Sequence, residues 1–419
     1  MNEHFKQELK HAAKSLHTAS KWVILAVLSG SIIGITGAAF CLCMNGVTEF
    51  RMEHPVIICF LPAGGVCIAG IYHLFHNEKD SGTDLVISAI YSNQRVPLRM
   101  TPSIFFGTLL THLFGGSAGR EGAALQLGGS LGATFGRFLK LNEKESHIMI
   151  MCGMSAAFAA LFGTPMAAAI FSMEVISIGI MHYAALVPCV ISALIGASVT
   201  DYLDLSEHIF QIETLPAFTA ANAVLISILA GICAFVSILF CVTLHTSQKM
   251  YKKFLPNPYL RAFTGGSLVL ALTFLIGNQD YNGTGIHVIT AALDGQAVPY
   301  AFLLKIIFTA LTLGAGLKGG EIVPSLFIGA TFGCLFGTVT GFSPTLCAAV
   351  GMTSVFCGVT NCPITSLLIS FEMFGYEGMP YYLLACAFSY MLSGYFGLYH
   401  SQRIMYSKLQ TTYINHETQ

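Results

Sequence analysis

The stretch GGSAGREGAALQLGGSLGATFG, residues 115–136, decides how the rest of this chain is read. It sets Arg120 and Glu121 inside an apolar, glycine-rich segment of a protein that otherwise keeps its charges at the edges of its apolar runs. An ionisable pair at membrane depth is costly and marks a functional site by default. The flanking glycines let other backbone approach closely and point to a helix that starts here with its first amides exposed. A helix start inside a membrane can hold an anion. The plainer alternative is that Arg120 and Glu121 neutralise each other in a loop that merely touches the membrane.

Composition sets the class. Of 419 residues 54% are hydrophobic and 10% charged, against roughly 25% charged in an ordinary soluble domain. The chain therefore reads as a polytopic membrane protein. Its net charge of −1 gives no reason to expect nucleic acid. The 13 cysteines lie mostly in apolar runs without a CxxC pair, so they read as small buried hydrophobes, with no metal and no cofactor implied. Residues 1–21 mix Lys6, Lys10, Lys14 and Lys21 with Glu3 and Glu8. That is the pattern of a basic amphipathic helix on the cytoplasmic face, not of a secretory signal.

Outward from Glu121, apolar segments fall near 22–46, 55–75, 101–118, 121–136, 147–161, 165–180 and 182–200. After the acidic connection from Asp201 to Thr214 a second series follows near 219–245, 262–277, 299–315, 321–338, 344–358, 363–374 and 380–399. Several are shorter than the roughly 20 residues that span a bilayer. Many are interrupted by Gly or Pro, and broken helices at membrane depth must be buried in protein or line an aqueous cavity.

The two series are copies. GMSAAFAALFGTPMAAAIFSMEV, from Gly153, lies without a gap over GMTSVFCGVTNCPITSLLISFEM, from Gly351, and matches Pro165 to Pro363 and Glu174 to Glu372. GREGAALQLGGSLGATFG lies over GGEIVPSLFIGATFGCLFG, placing Ala123 on Pro324 and Gly128, Gly132 and Gly136 on Gly329, Gly333 and Gly337. A third pair, SGTDLVISAI from Ser81 and NGTGIHVITAA from Asn282, needs one inserted residue. The expected organisation is a first membrane half over 22–205, a second over 215–400 and a cytoplasmic tail over 401–419. Basic clusters at the N-terminus, Arg95 and Arg99, Arg137 to Lys144, Lys249 to Arg261 and Arg403 to Lys408 put both termini in the cytoplasm, and the acidic connection outside. Each half then crosses an odd number of times. The fold expected is an all-α inverted repeat of two helical halves, whose site sits near the midplane where broken helices point their N-termini at an anion.

These residues resemble the CLC family of chloride channels and anion/proton antiporters. The resemblance is carried by GREG at Gly119 to Gly122, GGEIVP at Gly319 to Pro324, the Pro165 to Glu174 segment, and MYSK at Met405 to Lys408, and it covers about residues 20–410. It implies a transporter of chloride or fluoride, coupled to protons, in the cell membrane as a homodimer, without enzymatic activity. It implies that Glu121 is the gating glutamate, whose carboxylate occupies an anion site or leaves it when protonated. Main-chain amides around Gly119, Arg120, Gly122 and Ala123, and around Glu321, Ile322 and Val323, would line the anion path. Tyr406 would donate its hydroxyl to the anion, although on position alone it reads as an interfacial anchor.

The chain also departs from that pattern. Chloride-selective relatives carry a GSGIP-like turn, whereas SGTDLV offers Thr83 or Ser81 in place of the coordinating serine. Glu321 and the missing Phe in GGEIVP resemble the fluoride-exporting branch, from which Val323 departs in turn. Val175 stands where the classical exchangers place their inner proton glutamate. That leaves Glu174 as a possible proton path, with a symmetric structural role shared with Glu372 as the alternative. Lys318 reads as an ion pair with Glu321, His287 as a loop residue, and the glycine spacings at 128, 132 and 136 as close helix packing. A passive chloride channel remains open. A remote alternative is an intramembrane serine hydrolase, because GGSAG is a literal GxSxG with His112 nearby, but that elbow requires a strand before it.

Overall fold

A computed structural model describes residues 3–78, 81–92, 94–205, 210, 212 and 215–419, with side chains from residue 10 onward. Glu207 and Glu213 of the acidic connection, and the side chains of Glu3, Lys6 and Glu8, lie outside the described residues.

The first half comprises α1 (Glu3–Glu53), α2 (Leu61–Leu74), α3 (Thr83–Tyr91), α4 (Met100–Leu113), α5 (Glu121–Phe138), α6 (Glu143–Phe162), α7 (Pro165–Glu174) and α8 (Leu186–Tyr202). The second comprises α9 (Ala220–Phe254), α10 (Pro258–Ile276), α11 (Ile286–Leu293), α12 (Ala301–Gly314), α13 (Ile322–Thr340), α14 (Pro344–Thr360), α15 (Pro363–Phe374) and α16 (Met379–Leu392). The halves match helix for helix, each a long leading helix followed by seven shorter ones. Seven helical stretches among the described residues are long and apolar enough to cross a membrane. The 9 residues of α3 and the 8 of α11 are far too short to cross a hydrocarbon layer about 30 Å thick.

Local chemistry sets the helix ends in both copies. Asn142 Oδ1 accepts the Glu145 N–H at 3.0 Å to open α6, and Ser343 Oγ accepts the Leu346 N–H at 3.3 Å to open its counterpart α14. Both helices stop at a left-handed residue, Gly163 with φ 67° and Asn361 with φ 57°. Pro165 and Pro363 then start α7 and α15, where a missing N–H costs nothing.

The centre of each half is one close crossing, of α5 on α6 and of α13 on α14. A Cβ on Gly128 would lie 2.1 Å from Gly153 O, and one on Gly329 would lie 2.4 Å from Gly351 O. These glycines are thus packing residues, as their spacing suggests.

Four features differ from the sequence reading. First, α1 runs unbroken through the expected boundary at residues 21 and 22, because nothing between Glu8 and Ser29 is a helix breaker. Second, the third repeat pair forms helices, α3 and α11, too short to register as apolar segments. Third, α7 ends at Glu174, short of residue 180. Fourth, the tail folds back as a small sheet in an otherwise helical protein. Strand β1 (Ser177–Ile178) pairs in parallel with β2 (Arg403–Tyr406), which pairs antiparallel with β3 (Tyr413–Glu417).

Gly128→Ala and Gly329→Ala are expected to lower stability by about 1–3 kcal/mol each through overpacking against backbone. Gly46→Ala, with nothing within 4 Å of its added carbon, is expected to be neutral or slightly stabilising. Thermal unfolding in detergent checks the contrast, and equal midpoints for all three variants would contradict it.

Candidate functional site

Two helix N-termini meet inside the protein. The Gly119 N–H donates to Gly320 O and the Gly320 N–H donates to Gly119 O, both at 2.7 Å, a one-rung antiparallel bridge just before α5 and α13. Gly119 and Gly320 are the same position in the two copies, so the bridge lies on the axis relating the halves. Each helix start leaves first-turn amides without an intrahelical partner, and the bridge brings both sets together. No side chain fits between them: a Cβ on Gly320 would sit 2.5 Å from Gly122 N, and one on Gly122 would sit 2.8 Å from Gly320 Cα.

A carboxylate attends each helix start. Glu121 is 1% exposed; its Oε2 accepts the Arg120 N–H at 3.0 Å, and its Oε1 stands 3.7 Å from Arg120 Nε. Arg120 is in turn tied to α1 and α6, through Nη1 to Asn45 Oδ1 at 3.1 Å and Cys41 Sγ at 3.6 Å, and through Nη2 to Leu161 O at 3.4 Å. The pair does neutralise itself, but in the core and not in a loop at the membrane edge. Glu321 caps α13 in position, and its buried Oε2 has no hydrogen-bond partner among the described residues. A Cβ on Gly122 would lie 3.1 Å from that oxygen, so Glu321 of one half leans on the α5 start of the other. Lys318 lies within electrostatic reach of Glu321 and sets its ammonium 4.1 Å from the centre of the Tyr72 ring.

Apolar Ala123, Ile322 and Val323 are buried beside the bridge, with Val323 Cβ 3.1 Å from where a Gly119 Cβ would be. Thr83 opens α3 next to α5: its Oγ1 donates to Gly122 O at 3.4 Å and accepts from Gln126 Nε2 at 3.2 Å. Ser81 is exposed. The structure therefore brings together Glu121, Gly119, Arg120, Gly122, Ala123, Glu321, Ile322, Val323 and Thr83.

Tyr406 does not join them. It is 44% exposed on β2, edge-on to Tyr413 at 5.7 Å and against Gly179. The buried tyrosine is Tyr399: it is 2% exposed, its hydroxyl has no hydrogen-bond partner among the described residues, and it lies within electrostatic reach of Glu321, Asp84 and Glu121. Asp84 and Tyr91 fix that segment, because Asp84 Oδ1 accepts both the N–H and the hydroxyl of Ser401 at 2.8 Å and Tyr91 Oη donates to Ser401 O at 2.7 Å. The signal for Tyr399 was its place as the last residue of the final apolar segment, 380–399.

Glu174 is likewise elsewhere. Its Oε1 accepts the Ile364 N–H at 3.1 Å, and its Oε2 accepts the Thr365 N–H at 2.8 Å and the Thr365 hydroxyl at 2.6 Å. Glu372 does the same for α7, accepting the Met166 and Ala167 N–H groups at 2.8 and 2.9 Å. Each glutamate caps the other half's helix with both oxygens, so the geometry favours the symmetric structural role over a proton path. The serine hydrolase alternative also fails. Ser117 Oγ faces Thr309 Oγ1 at 3.1 Å, His112 Nε2 faces Gly119 O at 3.3 Å, and the GxSxG stretch joins two helices. No cluster of three or more His, Cys, Asp or Glu fit to hold a metal occurs among the described residues.

The sequence matches the family described as voltage gated chloride channel over residues 64–394. It is 35% identical to a chloride/fluoride channel protein of Pseudomonas syringae pv. tomato, over 93% of this chain and 88% of that one. It is 29% identical to a voltage-gated ClC-type chloride channel of Escherichia coli, over 68% of this chain and 71% of that one. Among solved structures, a CLC-type fluoride/proton antiporter matches with a TM-score of 0.89 and 31% identity, over 92% of this chain and 98% of that one. A slow cyanobacterial chloride/proton antiporter shares the fold, with a TM-score of 0.77 at 19% identity over 89% and 94% of the two chains.

Removing either cap strands two main-chain N–H groups at the start of a short helix, of which those of Ala167 and Thr365 belong to buried residues. Glu174→Ala and Glu372→Ala are each expected to cost about 1–3 kcal/mol of stability, the penalty of one buried unsatisfied donor. Thermal unfolding of the purified variants measures it, and a midpoint within error of the parent protein would exclude the capping role.

Proposed function

Because the chain belongs to the voltage-gated chloride channel (CLC) family of membrane anion transporters and not to an enzyme family, we propose that it exchanges fluoride for protons across the cell membrane. The observation that carries this reading is the pair of carboxylates, Glu121 and Glu321, at two helix N-termini joined by the Gly119–Gly320 bridge.

A carboxylate at a helix N-terminus stands where an anion would be held. Glu121 in its ionised form occupies that place; protonated, it has no charge to keep it there and yields to an anion. One position thus serves proton and anion in turn, which couples their movements. Amides of Gly122, Ala123, Ile322 and Val323 and the hydroxyl of Tyr399 supply donors, and Thr83 holds the α3 start against Gly122. Fluoride is small and strongly hydrated, so a site for it must offer close donors in place of water. Glu321 and the missing Phe in GGEIVP, and the likeness to a chloride/fluoride channel protein and a fluoride/proton antiporter, favour fluoride. Chloride exchange and a passive channel are the competing readings. We read both termini as cytoplasmic, from the basic residues near them, and the working unit as a homodimer, from the family.

Purified protein in liposomes tests the proposal, with fluoride efflux, chloride efflux and internal pH recorded together. Fluoride is expected to leave faster than chloride by at least about tenfold, a barrier difference of about 1.4 kcal/mol, with protons moving the other way. Faster chloride would overturn the substrate, and anion flux without proton flux would overturn the exchange. Glu121→Gln can neither ionise nor carry the proton, so its proton movement is expected to fall to that of empty liposomes. Cysteines near residues 95, 142 and 252 should be labelled from the inside and one at 205 from the outside. Labelling of 142 and 205 from the same side contradicts the inverted arrangement.

A further inference from the structure

A second cationic centre lies beyond the Glu121 site. Arg51 stands in the last turn of α1, at the opposite end of that helix from the N-terminus, and is 9% exposed. Its Nε and Nη1 are buried without a hydrogen-bond partner among the described residues. Its guanidinium lies against two loops of bare backbone: a Cβ on Gly283 would be 2.9 Å from Nη1 and Nη2, and one on Gly115 would be 3.6 Å from Nη1. Lys305, 0% exposed, points at the same loop and donates to Gly283 O at 2.8 Å and Tyr281 O at 3.2 Å. Buried His112 lies within electrostatic reach of Arg51, Lys305 and Arg120, and its Nε2 faces Gly119 O of the bridge.

A structural arginine at a helix C-terminus donates to the last carbonyls, and Arg51 makes no such bond. Nor is it balanced by acid, because Glu49 and Glu53 of the same helix end are exposed and Arg51 has no ion pair among the described residues. Buried charges are ordinarily paired and hydrogen-bonded. Arg51 keeps buried donors unfilled, beside a Lys305 ammonium held by two carbonyls and 5.0 Å from the centre of the Phe327 ring; a buried guanidinium with donors to spare fits a small inorganic anion. The turn that Arg51 flanks, Gly115 and Gly116, leads directly to Gly119.

We propose that Arg51, backed by Lys305 and His112, is an outer station that holds a halide ion before or after it passes the Glu121 site. Asn282 maintains the station, since its Nδ2 donates to Gly115 O at 2.7 Å while the Gly283 N–H donates to Gly116 O at 3.1 Å, locking the two loops together. The station's place on the ion path rests on the transport reading above, whereas its ability to bind an anion does not.

Two measurements on the full chain test it. Crystals of the wild-type protein grown in bromide are expected to give an anomalous peak in contact with the Arg51 guanidinium. No peak there overturns the site, whatever the variants do. In liposomes, Arg51→Gln is expected to weaken the apparent affinity for anion supplied at the outer face roughly tenfold, the loss of one charge-assisted hydrogen bond. Arg51→Lys is expected to fall between the parent and Arg51→Gln. Unchanged outer-face affinity in a folded Arg51→Gln protein overturns the station's role in transport. If the wild-type protein passes no anion, the proposed function falls and the bromide peak alone decides the site.

Discussion

Two hydrogen bonds of 2.7 Å between Gly119 and Gly320 hold the centre of this protein together. They join two helix starts that would otherwise meet as two sets of unpaired amides in a medium with no water to satisfy them. Bridging leaves the first-turn amides of α5 and α13 aimed at common space, and only glycine permits the approach. Buried Glu121 and Arg120 then stand within a residue or two of it on one strand of the bridge, and Glu321, with a buried carboxylate oxygen, on the other. The site follows from the way a duplicated fold closes at its axis.

The same requirement appears a second time, with side chains. Glu174 and Glu372 reach across the axis to cap α15 and α7, each with two carboxylate oxygens on two successive N–H groups. A carboxylate at a helix N-terminus is favoured by the helix dipole as well as by hydrogen bonding, so these acids are stable where isolated buried charges are not. The two uses of glutamate differ in one respect. The caps are committed to the protein's own amides, while Glu321 keeps a buried oxygen without a partner among the described residues. A glutamate bonded through both oxygens builds the frame.

Much of this was legible because the two copies face the same backbone demands. Gly128 and Gly329 must be glycine, Pro165 and Pro363 must start short helices, and Glu174 and Glu372 must cap them, so the repeat survives at those positions. The paired identity of Glu174 and Glu372 already favoured a structural role equally with proton transfer, and the hydrogen bonds explain why. What was not legible depends on contacts distant in sequence. Tyr399 was passed over for Tyr406 because MYSK carries the family likeness, whereas the tail's residues alternate as a strand and turn Tyr406 outward. The stretches of α3 and α11 stood out as a repeat pair but not as membrane segments, because eight or nine residues are too short to span a bilayer. The reach of Arg51 to Gly115 and Gly283 has no local trace at all, since it joins the end of α1 to a loop more than half the chain away.

The reciprocal caps have a consequence for how the protein is made. Glu372 and the N–H of Met166 that it accepts are separated by 206 residues. At a synthesis rate of about 5–20 residues per second, α7 waits roughly 10–40 s for its cap after entering the bilayer. During that interval the Met166 and Ala167 N–H groups are without the carboxylate that later accepts them. Each copy thus completes a helix start of the other, and the order of synthesis makes the first wait for the second.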